Sequence, residues 1–221
     1  MESEDRGQLG LPPSAGGADL AVKAESSDVP SVAMVGISKR FDDVIALAGV
    51  DVELHSGEVH ALLGENGAGK STLMNILSGV LRPEAGEIWL KGRPVHLRSP
   101  RHAAEHGIGI VHQLYRLVSN LTVAENLHLG WNATPHLIDR RDLNRRVEQM
   151  VERFGLAVRP EARIWELSVG EQQRVAILRT LTRGSEVIIL DEPTAVLTPQ
   201  EATGLFALLR HMTDEGKTIV F

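Results

Sequence analysis

The stretch Gly64-Glu65-Asn66-Gly67-Ala68-Gly69-Lys70-Ser71 constrains this chain more than any other feature. An apolar segment precedes it (Glu58 to Leu63), and a helical pattern over Gly69 to Leu77 follows and stops at Gly79. Its spacing is that of the P-loop, in which glycines let the backbone turn sharply between a strand and a helix. Backbone N–H groups of the loop and first helical turn then converge on phosphate oxygens, and the positive helix end favours their charge. Lys70 is expected to reach the β- and γ-phosphates and the Ser71 hydroxyl to ligate Mg²⁺, with the binding segment running from Gly64 to Thr72. No G-x-G-x-x-G occurs in the chain, which excludes a dinucleotide-binding loop.

The surrounding pattern is that of an α/β protein. Val32 to Phe41 and Val44 to Leu54 read as strands, and Gly86 to Leu97 reads as a hairpin turning at Lys91-Gly92. A helical middle follows: a short helix from Pro100 to His106, a strand from Gly109 to His112, and helices over Val123 to Leu129 and Asp139 to Phe154. Then come a helix from Val169 to Arg183, the strand Val187 to Leu190, a helix from Gln200 to Met212 and an apolar strand beginning at Lys217. Strands alternating with helices imply a mostly parallel sheet covered on both faces. With 43% hydrophobic but only 4% aromatic residues, the core rests on aliphatic side chains.

Composition removes several chemistries. The chain has no cysteine, so a thiol nucleophile, a disulfide scaffold and a Cys-ligated metal are excluded. No run approaches the roughly 18 apolar residues of a membrane span, and the first 30 residues lack the pattern of a signal peptide. The net charge of −6 argues against a nucleic-acid partner. Residues 1–31 hold six acids and two bases, with many Gly, Pro and Ser, and read as a disordered acidic tail. The remaining 190 residues carry 23 acids against 21 bases and are nearly neutral.

Two further segments carry chemistry. In Val187-Ile188-Ile189-Leu190-Asp191-Glu192, four apolar residues end in two carboxylates. Such a strand is commonly structural, but beside a P-loop Asp191 is expected to hold Mg²⁺ and Glu192 to polarise the attacking water. In Leu167-Ser168-Val169-Gly170-Glu171-Gln172-Gln173-Arg174, Ser168 and Glu171 form an S-x-x-E capping box, which by itself accounts for both. The pattern His102-Ala103-Ala104-Glu105-His106 spells the H-x-x-E-H of some zinc peptidases, but no third ligand is evident and Gly107 ends the helix. It reads as a solvated helix face.

A P-loop, then LSVGEQQR, then VIILDEPT resembles the nucleotide-binding domain of ABC-type ATPases, over essentially all of 32–221. The resemblance implies a P-loop NTPase (RecA-like) core with an antiparallel β subdomain and an inserted α-helical subdomain at about 100–168. It implies that Ser168 and the Gly170 amide bind the γ-phosphate of ATP held by a second ATP-binding domain, in a head-to-tail sandwich. It also places Phe41 against adenine, with a core role as the alternative, and makes Gln113 a contact of Mg²⁺ or water. Leu121 to Leu129 falls on the surface offered to a transmembrane permease; on periodicity alone it is equally an amphipathic surface helix.

Two departures accompany the resemblance. Ala195-Val196-Leu197-Thr198 stands where the family usually has a loop ending in Asp, and the chain ends at Phe221, before the family's switch histidine. The expectation is therefore a truncated domain, weakly active alone, from the front of a tandem protein. The wording DEPTAVLTPQE is most similar to the ATP-binding proteins of simple-sugar and nucleoside importers. These are peripheral on the cytoplasmic face of the cell membrane, use ATP and Mg²⁺, and work indirectly with an extracytoplasmic substrate-binding protein. A soluble ABC-type translation or ribosome-associated ATPase is the alternative; that group resembles DEPTNHLD where this chain has DEPTAVLT.

Overall fold

A computed structural model describes residues 29–113, 115–130 and 139–221. The acidic stretch expected over 1–31 lies outside the described residues except for its last three positions.

Among the described residues, eight strands form two sheets. Strands β1 (Val32–Phe41), β2 (Val44–Leu54), β4 (Ala85–Leu90) and β5 (Arg93–Val95) make an antiparallel sheet in the order β2-β1-β4-β5. Strands β3 (Val59–His60), β6 (Ile108–Val111), β7 (Val187–Leu190) and β8 (Thr218–Val220) make a parallel sheet in the order β3-β8-β7-β6. The β4–β5 hairpin turns at Lys91 and Gly92, both with positive φ, as a two-residue hairpin loop of that hand requires.

The helices are α1 (Lys70–Leu77), α2 (Pro100–Glu105), α3 (Val123–His128), α4 (Arg140–Phe154), α5 (Val169–Thr182) and α6 (Pro199–Asp214). All four residues of β7 are buried, because both faces of a parallel sheet are covered. Side chains alternate along a strand, so β7 feeds two cores. Val187 and Ile189 join the cluster of α1 and the antiparallel sheet, which contains Met34, Ile37, Leu73 and Ile76. Ile188 and Leu190 join the cluster of α3 to α6, with Leu127, Val147, Leu178 and Leu209.

Two differences from the expected elements have physical causes. The strand expected over Glu58 to Leu63 pairs only at Val59–His60, and the chain then peels into the glycine-rich loop after one more bond, from Leu62 N–H to the Phe221 carbonyl. A 3₁₀ turn at Ile164–Glu166 has no counterpart in the expected elements, because three residues are too few to show a period. The strand expected from Gly109 to His112 is β6, whose register with β7 (Val111 opposite Leu190) makes it part of the parallel sheet.

Parallel pairing decides where the chemistry gathers. Because β3, β6, β7 and β8 run the same way, the segments leaving their C-terminal ends share one edge of the sheet. Those segments are the glycine-rich loop after β3, Gln113 after β6 and Asp191-Glu192 after β7.

Candidate functional site

The loop from Gly64 to Gly69 closes around the Lys70 ammonium. Lys70 Nζ donates to the carbonyls of Gly64 at 2.6 Å and Glu65 at 2.9 Å, and Ala68 N–H donates to the Glu65 carbonyl at 3.1 Å. Gly67 and Gly69 have φ of 86° and 87°, a region that costs any side-chain-bearing residue about 1–2 kcal/mol. At Gly69 the constraint is also steric, since a Cβ there would lie 2.5 Å from the Ala46 carbonyl oxygen and 2.8 Å from Leu47 Cδ2. Glu65, Asn66, Gly67 and Ala68 are exposed, leaving the loop open to a ligand.

Helix α1 begins without a side-chain cap and without an acid in its first turn. Each of the other described α-helices has a capping side chain: Ser99, Thr122, Asp139, Ser168 or Thr198. The first amides of α1, at Lys70, Ser71 and Thr72, therefore keep their donors and their positive end for an anion.

The acids arrive from β7. Asp191 N–H donates to the Val111 carbonyl at 3.0 Å, which continues the β6–β7 ladder by one residue. Glu192 then adopts φ 46°, a left-handed conformation that a non-glycine residue holds only when its surroundings impose it. Gln173 of α5 supplies part of that hold: its buried Nε2 donates to the Pro193 carbonyl at 2.7 Å. A cleft of about 310 Å³ is lined by Ser71, Asp191, Glu192, Leu63, Thr194 and Phe221 among others. One hydroxyl, one carboxylate at a sheet edge and an adjoining phosphate cradle form a donor set suited to Mg²⁺, which takes few protein oxygens and completes its shell with phosphate and water.

Gln113 reaches the neighbouring Glu192 carboxylate, with Nε2 3.3 Å from Glu192 Oε2 across 79 residues of sequence. Arg179 of α5 secures the segment after Gln113 by donating to the carbonyls of Tyr115 and Arg116, both at 3.1 Å. His112, beside these groups, is held below its ordinary pKa of 6.5, first by burial and then by Arg116, with Asp191 opposing. The sequence alone assigns no role to Gln173 or Arg179. Gln173 lies inside the LSVGEQQR segment, but nothing local shows that its amide is turned inward.

The remaining expected residues lie elsewhere. Phe41 closes the β1–β2 hairpin opposite Val44 and is 43% exposed, so it is no core residue; Lys39 Nζ stands 5.5 Å above its ring. The same hairpin carries Ala46 and Leu47 against Gly69, which brings Phe41's end of the sheet to the glycine-rich loop. Ser168 and Gly170 open α5 and, among the described residues, make no hydrogen bond to that loop. Ser168 accepts from Glu171 N–H at 3.3 Å, while Glu171 accepts from Ser168 N–H at 2.8 Å. A second acid, Glu201, lies across the same helix end with Oε1 3.4 Å from Ser168 Oγ. Its carboxyl is held below the ordinary range, first by the backbone N–H and hydroxyl of Thr198, and further by Gly170 N–H and Ser168.

His102 and His106 stack edge-to-face at 4.5 Å, and His106 Nδ1 bonds the His102 carbonyl. Among the described residues no three His, Cys, Asp or Glu side chains are grouped to hold a metal ion. Among the same residues no helix is long and apolar enough to cross a membrane.

Known proteins resemble this chain in sequence and in fold. The chain is 50% identical over 190 residues to a nucleoside import ATP-binding protein, NupA, of Lactococcus lactis subsp. cremoris, covering 86% of this chain and 38% of NupA. It is 47% identical to the guanosine import ATP-binding protein NupO of Bacillus subtilis, covering 86% of this chain and 37% of NupO. It is 48% identical to the ribose import ATP-binding protein RbsA 1 of Rubrobacter xylanophilus, covering 87% and 39%. The chain thus spans less than two-fifths of the length of these curated relatives. Among solved structures, cbiO1 from Clostridium perfringens, part of the ABC transporter complex cbiONQ, matches with a TM-score of 0.74 at 30% identity, over 87% of this chain and 77% of cbiO1. The ADP conformation of MJ1267, an ATP-binding cassette of an ABC transporter, matches with a TM-score of 0.77 at 25% identity, over 86% and 80%. The sequence pattern that defines the ABC transporter family matches residues 47–195, and the chain belongs to that family.

Proposed function

We propose that this chain binds ATP with Mg²⁺ and hydrolyses it as the energising domain of an importer for nucleosides or simple sugars. The observation that carries the reading is the meeting of Ser71, Asp191 and Glu192 in one cleft beside the uncapped start of α1. Residues Gly64, Glu65, Asn66, Gly67, Ala68, Gly69, Lys70, Ser71 and Thr72 hold the phosphates through backbone amides, with Lys70 moving from its loop carbonyls to the phosphate oxygens. Phe41 stacks on adenine. Ser71 and Asp191, with Gln113 nearby, would hold Mg²⁺, which would supply positive charge beside the phosphates.

Glu192 takes the proton of a water whose oxygen bonds to the γ-phosphorus as the bond to the β–γ bridging oxygen breaks. Gln113, already hydrogen bonded to Glu192, orients that base and the water. Ser168 and the Gly170 amide act on the nucleotide of a second ATP-binding domain, which accords with their lack of contact with the loop of their own chain. The partners are permease subunits that form the pore and, indirectly, a substrate-binding protein; within Leu121 to Leu129 the exposed Leu129 is the residue open to them, because Val123, Ala124, Asn126, Leu127 and His128 are buried. The site of action is the cytoplasmic face of the membrane.

Paired substitutions test the assignment. Lys70→Ala abolishes ATP binding in a calorimetric titration. Glu192→Gln keeps binding and stops turnover, leaving ATP rather than ADP on the protein. Parent-level affinity in the first, or parent-level hydrolysis in the second, overturns the site.

A further inference from the structure

Capping does not require all that the Glu201 carboxylate does. As the third residue of α6, Glu201 closes a capping box: Oε2 accepts from Thr198 N–H and from Thr198 Oγ1, both at 3.0 Å. Its other oxygen is free of that task. In the capping box of α3, the second oxygen of Glu125 faces Arg140 at 3.2 Å. Glu201 forms no ion pair among the described residues. Instead Oε1 lies against the start of α5, 3.4 Å from Ser168 Oγ and so close to Gly170 that a Cβ there would fall 2.5 Å from it. One carboxylate thus spans the N-termini of two helices, 33 residues apart in sequence.

Ser168 and Gly170 are the residues to which the proposed function gives the γ-phosphate of the partner domain, and the role of Glu201 rests on that reading. Glu171 takes only the Ser168 N–H, but a phosphate and Glu201 Oε1 cannot both hold the Ser168 hydroxyl and the Gly170 amide, because they need the same donors and repel each other. We infer that Glu201 is a built-in anion that occupies the Ser168–Gly170 helix end and must withdraw when the partner's phosphate arrives. Its withdrawal is felt at Thr198, which the same carboxylate holds. Thr198 ends a run of tight turns, Ala195 N–H to the Glu192 carbonyl at 3.2 Å and Leu197 N–H to the Thr194 carbonyl at 3.2 Å, that leads back to Glu192, the proposed base. The arrangement delays closure until a phosphate competes for the helix end, and relays that event to Glu192 of the same chain.

The test uses the full chain carrying Glu192→Gln, so that ATP persists, with and without Glu201→Gln. Glutamine at this position keeps one oxygen for the capping box and replaces the other, charged acceptor with a neutral NH₂ group. Association is followed by sedimentation velocity as MgATP is raised. With Glu201→Gln, the ATP concentration for half-maximal association falls about threefold, the scale of a charge at a helix end. Thermal stability stays near that of the parent, and Glu201→Asp, which keeps the charge, produces no such gain. An unchanged or higher half-point in Glu201→Gln overturns the inference and leaves Glu201 a capping residue. If the Glu192→Gln chain binds ATP but never associates, the trans role of Ser168 and Gly170 fails first, and the inference falls with it.

Discussion

Replacing Gln173 by Met probes the link between α5 and Glu192, the proposed base. Gln173 is 2% exposed, and its Nε2 donates to the buried Pro193 carbonyl at 2.7 Å. Methionine matches its length and flexibility but has no donor, so the change removes one hydrogen bond with little change in volume. A buried carbonyl left without a partner costs about 1–3 kcal/mol. Taking about 2 kcal/mol, and about 2–4 °C per kcal/mol for a domain of this size, Tm falls by about 4–8 °C. Function suffers separately. Pro193 follows Glu192, whose left-handed φ of 46° stores about 1–2 kcal/mol. Freed from Gln173, the segment relaxes and the Glu192 carboxylate leaves Gln113. With the P-loop as the proposed ATP site and Glu192 as the proposed base, ATP affinity then stays within about twofold of the parent, while kcat drops on the order of tenfold as Glu192 is misplaced. Thermal unfolding, an ATP titration and steady-state phosphate release read these three quantities. Unchanged Tm together with unchanged turnover would show that the bond neither stabilises nor positions the loop.

Other outcomes depend on the same contacts. Gly69→Ala puts a Cβ 2.5 Å from the Ala46 carbonyl in a left-handed backbone, so the loop must move off the antiparallel sheet; the ATP Kd rises by about tenfold or more, and an unaltered isotherm contradicts the geometry. Leu178→Ala opens a cavity in the fully buried core of α3 to α6 and lowers unfolding free energy by about 2–5 kcal/mol in urea titration, whereas a cost under about 1 kcal/mol would show that the site is not close-packed. Burial lowers the pKa of His60, His112 and His128 below 6.5, so the unfolded chain takes up protons more readily than the folded one. Stability from these three groups is fully present well above pH 6.5 and declines as the pH falls through 6.5 toward their lower folded values. The urea midpoint is therefore lower at pH 5.5 than at pH 7.5, His60→Gln reduces the difference, and equal midpoints in the parent chain would refute it.

Much of the fold was legible because the relevant physics is local. Strands Val32–Phe41, Val44–Leu54 and Val187–Leu190 have the bounds expected from apolar pattern and turn residues. The Lys91-Gly92 turn lies where expected, since a two-residue hairpin loop has strict backbone demands. The edge strand β3 is shorter than its apolar pattern suggests, because nothing in its composition tells where pairing ends and the glycine-rich loop begins.

By itself the sequence determined a phosphate-binding loop ahead of a helix, a buried strand ending in two acids, and the capping box at Ser168. Each is complete within a few residues, so its hydrogen-bonding logic survives without the rest of the chain. Tertiary structure alone decided which of these pieces meet. Parallel register set Gln113 against Glu192 across 79 residues, the turn of α5 aimed Gln173 at Pro193, and the approach of α6 laid Glu201 over Ser168. A side-chain amide or carboxylate has several possible partners of equal chemistry. Only packing, by fixing which backbone lies within about 3 Å, selects among them.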